Sequence, residues 1–400
     1  MMTEPPQTVE ELGHRWSLFQ PWLQEDPVSQ FDKLRESAPI IRSEELGGFW
    51  ILTRYEDIEW AAKSPEIFSN GKVSIPHIQL YRDKQIPVQL DGEEHRLWRQ
   101  TLTTVFNPSV VNQITPQIRQ AAVELIEPIA KRGSTEAIAE FAVPLPAETF
   151  LINFGIGREN LQQLLDHKDW LRNNVMRNTD EDRYAASKPL WNFFSEAVDR
   201  RRAEGFEERF DVVSLLLKSK FEGRDLAQDE IVNVVFMTML ASLDTTNAIL
   251  GLILLYLAEH PEVQELITTS PQRLPLIIEE LIRYQAMGSS ARVLTQDVER
   301  HGVTMRAGDQ VLMSWGMSGR DPEAFDHADQ VDFDRSAVRH LSFGIGPHRC
   351  LGMHLARRIL TVALEEWHRL IPKYHVTPGS TRRHHYLPVR GMDRLDLTVG

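Results

Sequence analysis

From Ile231 to Ala258 the chain is almost wholly apolar, and Asp244 is the single charge in that stretch. At roughly 1.5 Å per residue, a helix of that length is about 42 Å long, enough to cross a bilayer. Two features argue against a span. Asp244 falls near the middle, where inserting a charge costs about 2.5–3.5 kcal/mol, and the polar Thr245, Thr246 and Asn247 follow it. The flanks, Asp229, Glu230 and Glu259, are acidic rather than basic. A helix apolar on all sides and kept out of the membrane runs through the middle of a large protein. The chain has 400 residues, 42% of them hydrophobic, which is ample material for such a core.

Around this run the spacing is mostly helical. Ile118, Ala122, Leu125 and Ile126 recur at intervals of three and four, and the spacing predicts further helices over 271–284 and 351–370. Phe49-Trp50-Ile51-Leu52 follows a Gly-Gly turn, as the second strand of a hairpin would. Residues 291–315 alternate and contain the turns His301-Gly302 and Ala307-Gly308, so they read as a strand region. Residues 71–91 hold Pro76 and Pro87 without clear periodicity and read as a long loop, which in a compact protein is usually functional. The expected fold is mainly α with a minor β region. With no linker or internal repeat to divide the chain, residues 1–400 are expected to form a single large domain. The net charge of −13 argues against nucleic acid or an anionic membrane as partner. A lone cysteine cannot form an internal disulfide. The polar start, Met1 to Leu12, has neither a basic nor an apolar signal region. A cytoplasmic protein with no membrane partner is expected.

That cysteine lies in Phe343-Gly344-Ile345-Gly346-Pro347-His348-Arg349-Cys350-Leu351-Gly352. A thiolate that binds iron must stay deprotonated and shielded. A place at the start of the last helix puts it at the positive end of the macrodipole, which lowers its pKa. Gly344 and Gly346 permit a tight loop whose N–H groups can point at the sulfur. Gly352 removes a side chain where a flat cofactor would lie, and Phe343 can cover the sulfur. A buried, inert cysteine is the commoner fate of a lone Cys, but it explains neither the glycines nor the phenylalanine at these offsets. The run resembles the heme-binding signature of the cytochromes P450, with every expected position filled.

That resemblance, which extends from about residue 30 to the C-terminus, implies further assignments. Cys350 becomes the iron ligand of heme b (iron protoporphyrin IX), and the long central helix lies over the heme. Glu280 and Arg283, three apart on one helix, look like the family's Glu-x-x-Arg pair, with Arg335 as third member in a structural triad. His95, Arg99, Arg292 and His348 match positions that bind heme propionates. Ala241-Ser242-Leu243-Asp244-Thr245 is similar to the oxygen-activation motif, in which the acid Asp244 relays protons from water and the alcohol Thr245 delivers them. Ser242 stands where the family usually has glycine. Ile86-Pro87 before Leu90-Asp91, the Ser242–Asn247 run and His354-Leu355-Ala356-Arg357-Arg358 look like the camphor-hydroxylase type within the soluble bacterial members. The tyrosine of that type has no clear counterpart, its place reading Asp83 with Tyr81 nearby.

By analogy the substrate pocket draws on Ile75, Ile78, Ile86, Val88, Val175, Met176, Leu240, Ala241, Met287, Ser290 and Met392. The implied function is a monooxygenase that inserts one atom of O2 into a small or medium apolar substrate of terpenoid or aromatic type. A ferredoxin with its NAD(P)H-dependent reductase would supply the electrons, docking on basic residues beside the cysteine (Arg96, Arg99, Arg349), and the protein is expected to be a monomer. Two other readings fit a heme-thiolate chain. A peroxide-driven enzyme, dehydratase or isomerase commonly lacks the acid–alcohol pair that Asp244 and Thr245 form, and a non-enzymatic heme sensor should carry an output domain.

Overall fold

The computed structural model describes residues 6, 8–17, 19–20, 22–23, 27–176, 179–285, 288–335, 338–385 and 389–400. The helices that build the site are α1 (Gly92–Val105), α2 (Pro108–Arg132), α3 (Pro144–Phe154), α4 (Leu161–Asn174), α5 (Asp180–Glu204), α6 (Gln228–Glu259), α7 (Leu274–Tyr284) and α8 (Met353–Leu370). Local chemistry sets their ends. The Asn107 side chain accepts the N–H groups of Ser109 and Val110 at 2.8 and 3.2 Å, Pro108 opens α2, and Gly133 closes it at φ +79°. Glu230 accepts the Ala227 N–H at 2.8 Å, satisfying one of the free donors at the start of α6. The sequence His260-Pro261 ends α6.

The central helix belongs to two cores. Residues 231–236 are all buried, in a cluster with side chains of α1, α3, α4 and α5. Residues 246–255 are also all buried, and from Ile249 onward they join α2, α7 and α8. The helix has the length and apolarity of a membrane span, yet it is held inside the protein along both halves. Between the halves the burial breaks. Met237, Thr238 and Leu240 are partly open, Ala241 is exposed, and Asp244 and Thr245 are partly open, while Met239 and Leu243 on the opposite face stay buried. The open residues recur at intervals of three and four, so they form one stripe.

A five-stranded sheet lies beside the helices. It comprises β1 (Ile40–Ser43), β2 (Phe49–Leu52), β3 (Phe68–Ser69), β4 (Ser290–Leu294) and β5 (Gln310–Met313), in the order β1-β2-β5-β4-β3. β1 and β2 form the expected hairpin, with Ile40 opposite Leu52. Val311 of β5 is opposite Arg292 of β4. Residues 70–91 contain no helix or strand, as expected. A three-stranded sheet of Ser134–Glu136, Tyr374–Val376 and Asp396–Val399 has no signal in the sequence, because strands this short and this far apart in the chain show no alternation of their own.

Glu280 and Arg283 are fully buried on α7 and joined by two hydrogen bonds, Nε–Oε2 2.9 Å and Nη2–Oε1 2.7 Å. Arg283 also donates to the carbonyls of Gly319, Ala328 and Gln330, so all five of its donors are used. Arg335 Nε lies 3.3 Å from Glu280 Oε2, and the Asp332 N–H reaches Oε1 at 2.9 Å. The three residues that sequence analysis grouped therefore meet, and they tie α7 to the 319–335 segment leading toward the cysteine loop. Gly319 is required here, since a Cβ would stand 2.5 Å from the Arg283 carbonyl oxygen. Removing one partner of a buried pair leaves the other charge uncompensated. Glu280→Ala should lower unfolding free energy by about 3–5 kcal/mol in urea titration. A loss under about 1 kcal/mol, the level of an exposed pair, would show that the pair does not brace the fold.

Candidate active site

The cysteine loop is tightly turned before α8. Gly344 and Gly346 have φ of +65° and +74°, a region open chiefly to glycine. A Cβ at Gly346 would also meet the Ala62 carbonyl oxygen at 2.6 Å. The Cys350 N–H donates to the Phe343 carbonyl at 2.8 Å, which closes the loop. Helix α8 begins at Met353 rather than at 351, with Gly352 as its cap, so Cys350 sits three residues before the first helical turn.

Cys350 is solvent-accessible at its surface, yet enough protein surrounds it that burial pushes its thiol up. A side chain with both properties lines an interior space. Opposing the burial are the Gly352 N–H directed at the sulfur and the guanidinium groups of Arg99, Arg357 and Arg349. A Cβ on Gly352 would meet no protein atom within 4 Å.

Four basic side chains converge nearby. The rings of His95 and His348 stack with centroids 3.8 Å apart. Burial is the main force holding His95 down, to about 4, and it also lowers His348. Arg292, 5% exposed, makes only neutral contacts, to the Ala291 carbonyl at 2.7 Å and Ser290 Oγ at 3.3 Å, and burial lowers its pKa to about 10. Burial also lowers Arg99. The nearest carboxylate in the group is Asp91, 3.5 Å from His348 Nε2, and it already accepts bonds from Ser69 and Asn70. Among the described residues the buried His95 Nε2 has no hydrogen-bond partner, and His348 Nε2 has only the long contact to Asp91. Buried cations without a counter-charge are costly, and Arg292 and Arg99 are the cations here, with the two histidines as further donors, so this set fits an anionic group lying between β4, α1 and the cysteine loop. Two carboxylates on the edge of a flat cofactor ligated by Cys350 would meet that requirement.

The acid–alcohol pair lies on the open stripe of α6. Thr245 Oγ1 donates to the Ala241 carbonyl at 2.7 Å, so toward the interior its oxygen offers lone pairs. Asp244 Oδ1 is 2.7 Å from Lys168 Nζ, with the two side chains 23% and 9% exposed. Nothing in the sequence links Lys168 to Asp244, because the two lie on separate helices, α4 and α6. Asn233 is a second residue that sequence reading passed over, although a polar side chain inside an apolar run was a visible signal. It is buried, and its Oδ1 accepts from the Tyr81 hydroxyl and the Ile86 N–H, each at 2.9 Å, while its Nδ2 donates to the Lys84 carbonyl at 2.9 Å. One side chain thus pins the 81–86 loop to the central helix. Tyr81 is buried and Asp83 exposed, so it is Tyr81 that points inward, with its hydroxyl committed to Asn233.

The expected pocket residues divide. Leu240 and Ala241 lie on the open stripe, and Ile78 and Ile86 pack against the aromatic cluster of Tyr81 and Phe236. Val88 and Val175 are half-buried, Met176 is 49% exposed, and Ser290 touches Arg292. Ile75 packs in the cluster of Phe31 and Leu312. Met392 is a correction. At 2% exposure it faces no open space, and it packs beside Gly251, about 15 Å along α6 from Ala241. It belongs to the core. Met287 lies outside the described residues.

A cysteine loop beside a cluster of basic side chains, together with a buried helix that opens at an acid and an alcohol, fits a heme-thiolate protein. The comparisons agree. The family model described as Cytochrome P450 matches residues 153–270 and 271–383. The chain is 32% identical over 352 residues to a probable cytochrome P450 127A1 of Sinorhizobium fredii, covering 88% of this chain and 83% of that one. It is 30% identical to the cyclomarin C epoxidase CymV of Salinispora arenicola, covering 86% and 88%. The crystal structure of cytochrome P450 CYP101C1 superposes with a TM-score of 0.86 at 27% identity, covering 94% of each chain. The chain belongs to the cytochrome P450 family. It is a monooxygenase of that family, and its cofactor is heme b.

Arg292 is buried, and its side-chain hydrogen bonds go to the neutral Ala291 carbonyl and Ser290 hydroxyl. Arg292→Leu should keep the fold by far-ultraviolet circular dichroism and release heme to apomyoglobin at least ten times faster than the wild type. An unchanged release rate would remove Arg292 from the cofactor's contacts.

Proposed function

We propose that this protein inserts one atom of O2 into a small or medium apolar substrate of terpenoid or aromatic type, with Cys350 as iron ligand and Asp244 and Thr245 as the proton-handling pair. One observation carries the reading. The central helix is buried over 231–236 and 246–255 and opens between them, and the open stretch presents an ion-paired acid, an alcohol and the small Ala241 on one face. When bound, heme supplies the redox chemistry, and a thiolate ligand favours O–O cleavage.

The residues divide the remaining work. Leu240, Ala241, Ile78 and Ile86 offer apolar surface, which orients a substrate by shape and keeps water away. Thr245, whose hydroxyl donates its hydrogen bond to the Ala241 carbonyl, can accept a hydrogen bond at the open stripe and so hold a proton-bearing group there. Asp244 is ion-paired with Lys168, and as a carboxylate it can take a proton from the solvent side and pass it along the stripe. The named activity of one relative, epoxidation of cyclomarin C, is oxygen insertion of the same class.

Electrons are proposed to come from a ferredoxin and its NAD(P)H-dependent reductase, docking beside the cysteine loop. Arg349 is exposed there, and Arg96 is exposed on α1. Arg96 already pairs with Glu93 at 2.6 Å and projects less field than its sequence position suggests, while Arg99 is half-buried and turned toward Cys350. Such charge-steered docking slows as salt shortens the screening length to about 10 Å at 0.1 M. The protein is proposed to act as a cytoplasmic monomer.

The test is coupling. With a panel of monoterpenes and substituted aromatics, Thr245→Ala should still bind heme and substrate but divert most electrons to hydrogen peroxide. Product per NAD(P)H should fall at least five-fold. Unchanged coupling would assign proton handling to another group, with Ser242, whose Oγ makes only a 3.4 Å contact to the Met239 carbonyl, the first to examine.

A further inference from the structure

A second charged pair stands beside the cysteine loop, and the oxygen chemistry does not use it. Glu279 immediately precedes the buried Glu280 on α7. Its carboxylate grips Arg357 of α8 through two hydrogen bonds, from Nε at 2.6 Å and Nη2 at 2.7 Å. It also lies 3.2 Å from His340 Nε2, whose Nδ1 accepts the Ser342 N–H at 3.2 Å. One carboxylate therefore joins α7, α8 and the residues that begin the cysteine loop. The Arg357 guanidinium sits over the Phe343 ring, 4.4 Å from its centroid, and the His340 ring flanks the same phenylalanine at 5.7 Å. Phe343 is in turn the residue whose carbonyl receives the Cys350 N–H.

The arrangement has an electrostatic consequence. Stacking on a ring is favourable for a guanidinium, but the site is one where charge is weakly screened, and Arg357 is among the cations whose field reaches Cys350. Arg357 and His340 hold Glu279 down to about 2 against the cost of its burial, so it stays ionised and offsets that field. Bidentate geometry fixes where the offset acts.

We propose that Glu279 and Arg357 are a positioning pair that sets how much electron density the Cys350 thiolate gives the iron, by holding a charge-compensated cation on Phe343. The proposal rests on Cys350 being the iron ligand. It differs from a bracing role because its effects carry a sign. Reduction adds one negative charge at the heme, so an uncompensated cation nearby stabilises the reduced form, and an uncompensated carboxylate opposes it.

The experiment is a spectroelectrochemical titration of the substrate-free, heme-loaded protein. Glu279→Gln keeps the shape of the contact and frees the arginine's charge, so the reduction potential should rise. Arg357→Gln should lower it, and the double variant should return close to the wild type. Arg357→Lys, which keeps the charge, should stay nearer the wild type than Arg357→Gln. The reduced carbon monoxide spectrum of each protein separates the two ideas. A wild type without the thiolate band would overturn the ligand assignment, whereas thiolate bands throughout with potentials that do not move, or that move the same way in both single variants, would overturn this pair. Loss of heme from both single variants would likewise overturn it, by making the pair a brace alone.

Discussion

Holding a sulfur ligand inside a protein requires that its negative charge be favoured where water cannot solvate it, and much of this structure answers that requirement. Burial alone raises the Cys350 thiol. What opposes it is the Gly352 N–H at the cap of α8, Arg99 from α1, and Arg349 and Arg357 on either side of the cysteine. The loop that presents the sulfur is fixed by its own hydrogen bond from Cys350 N–H to Phe343 and by two glycines in the left-handed region. Behind it, the buried Glu280–Arg283 pair ties α7 to the segment that precedes the loop. A buried ion pair adds little net stability over an apolar substitute. Its effect here is to fix a geometry, with every donor of Arg283 assigned.

The central helix meets a conflicting demand. It has to be apolar enough to serve two cores and still carry an acid at its midpoint. Asp244 is tolerated because Lys168 reaches it from α4 at 2.7 Å. Ala241, with only a methyl group, is the most open residue of the stripe. Asn233, about two turns earlier than Leu240, holds the 81–86 loop against the same helix by three hydrogen bonds.

Local signals were legible in the sequence and non-local ones were not. The apolar run, the glycines around Cys350, the Phe49–Leu52 hairpin strand and the long loop were all readable because each is written within a few consecutive residues. The Glu280, Arg283 and Arg335 grouping and the four basic residues came through family resemblance, and the structure brings each set together. Lys168 beside Asp244 and Glu279 beside Arg357 join distant parts of the chain, and no spacing rule reports them. The 134–136, 374–376 and 396–399 sheet failed for the same reason. Met392 was misplaced because an apolar residue in a C-terminal strand looks the same whether it faces a pocket or Gly251.

The account stands or falls on the iron's ligand. Cys350 is the only cysteine in the chain, so the reduced carbon monoxide spectrum of the wild type and of Cys350→Ser is decisive. The wild type should show the red-shifted Soret band from which the family takes its name, and Cys350→Ser should lose it, whether or not heme remains bound. A thiolate-type band that persists in Cys350→Ser would contradict the account.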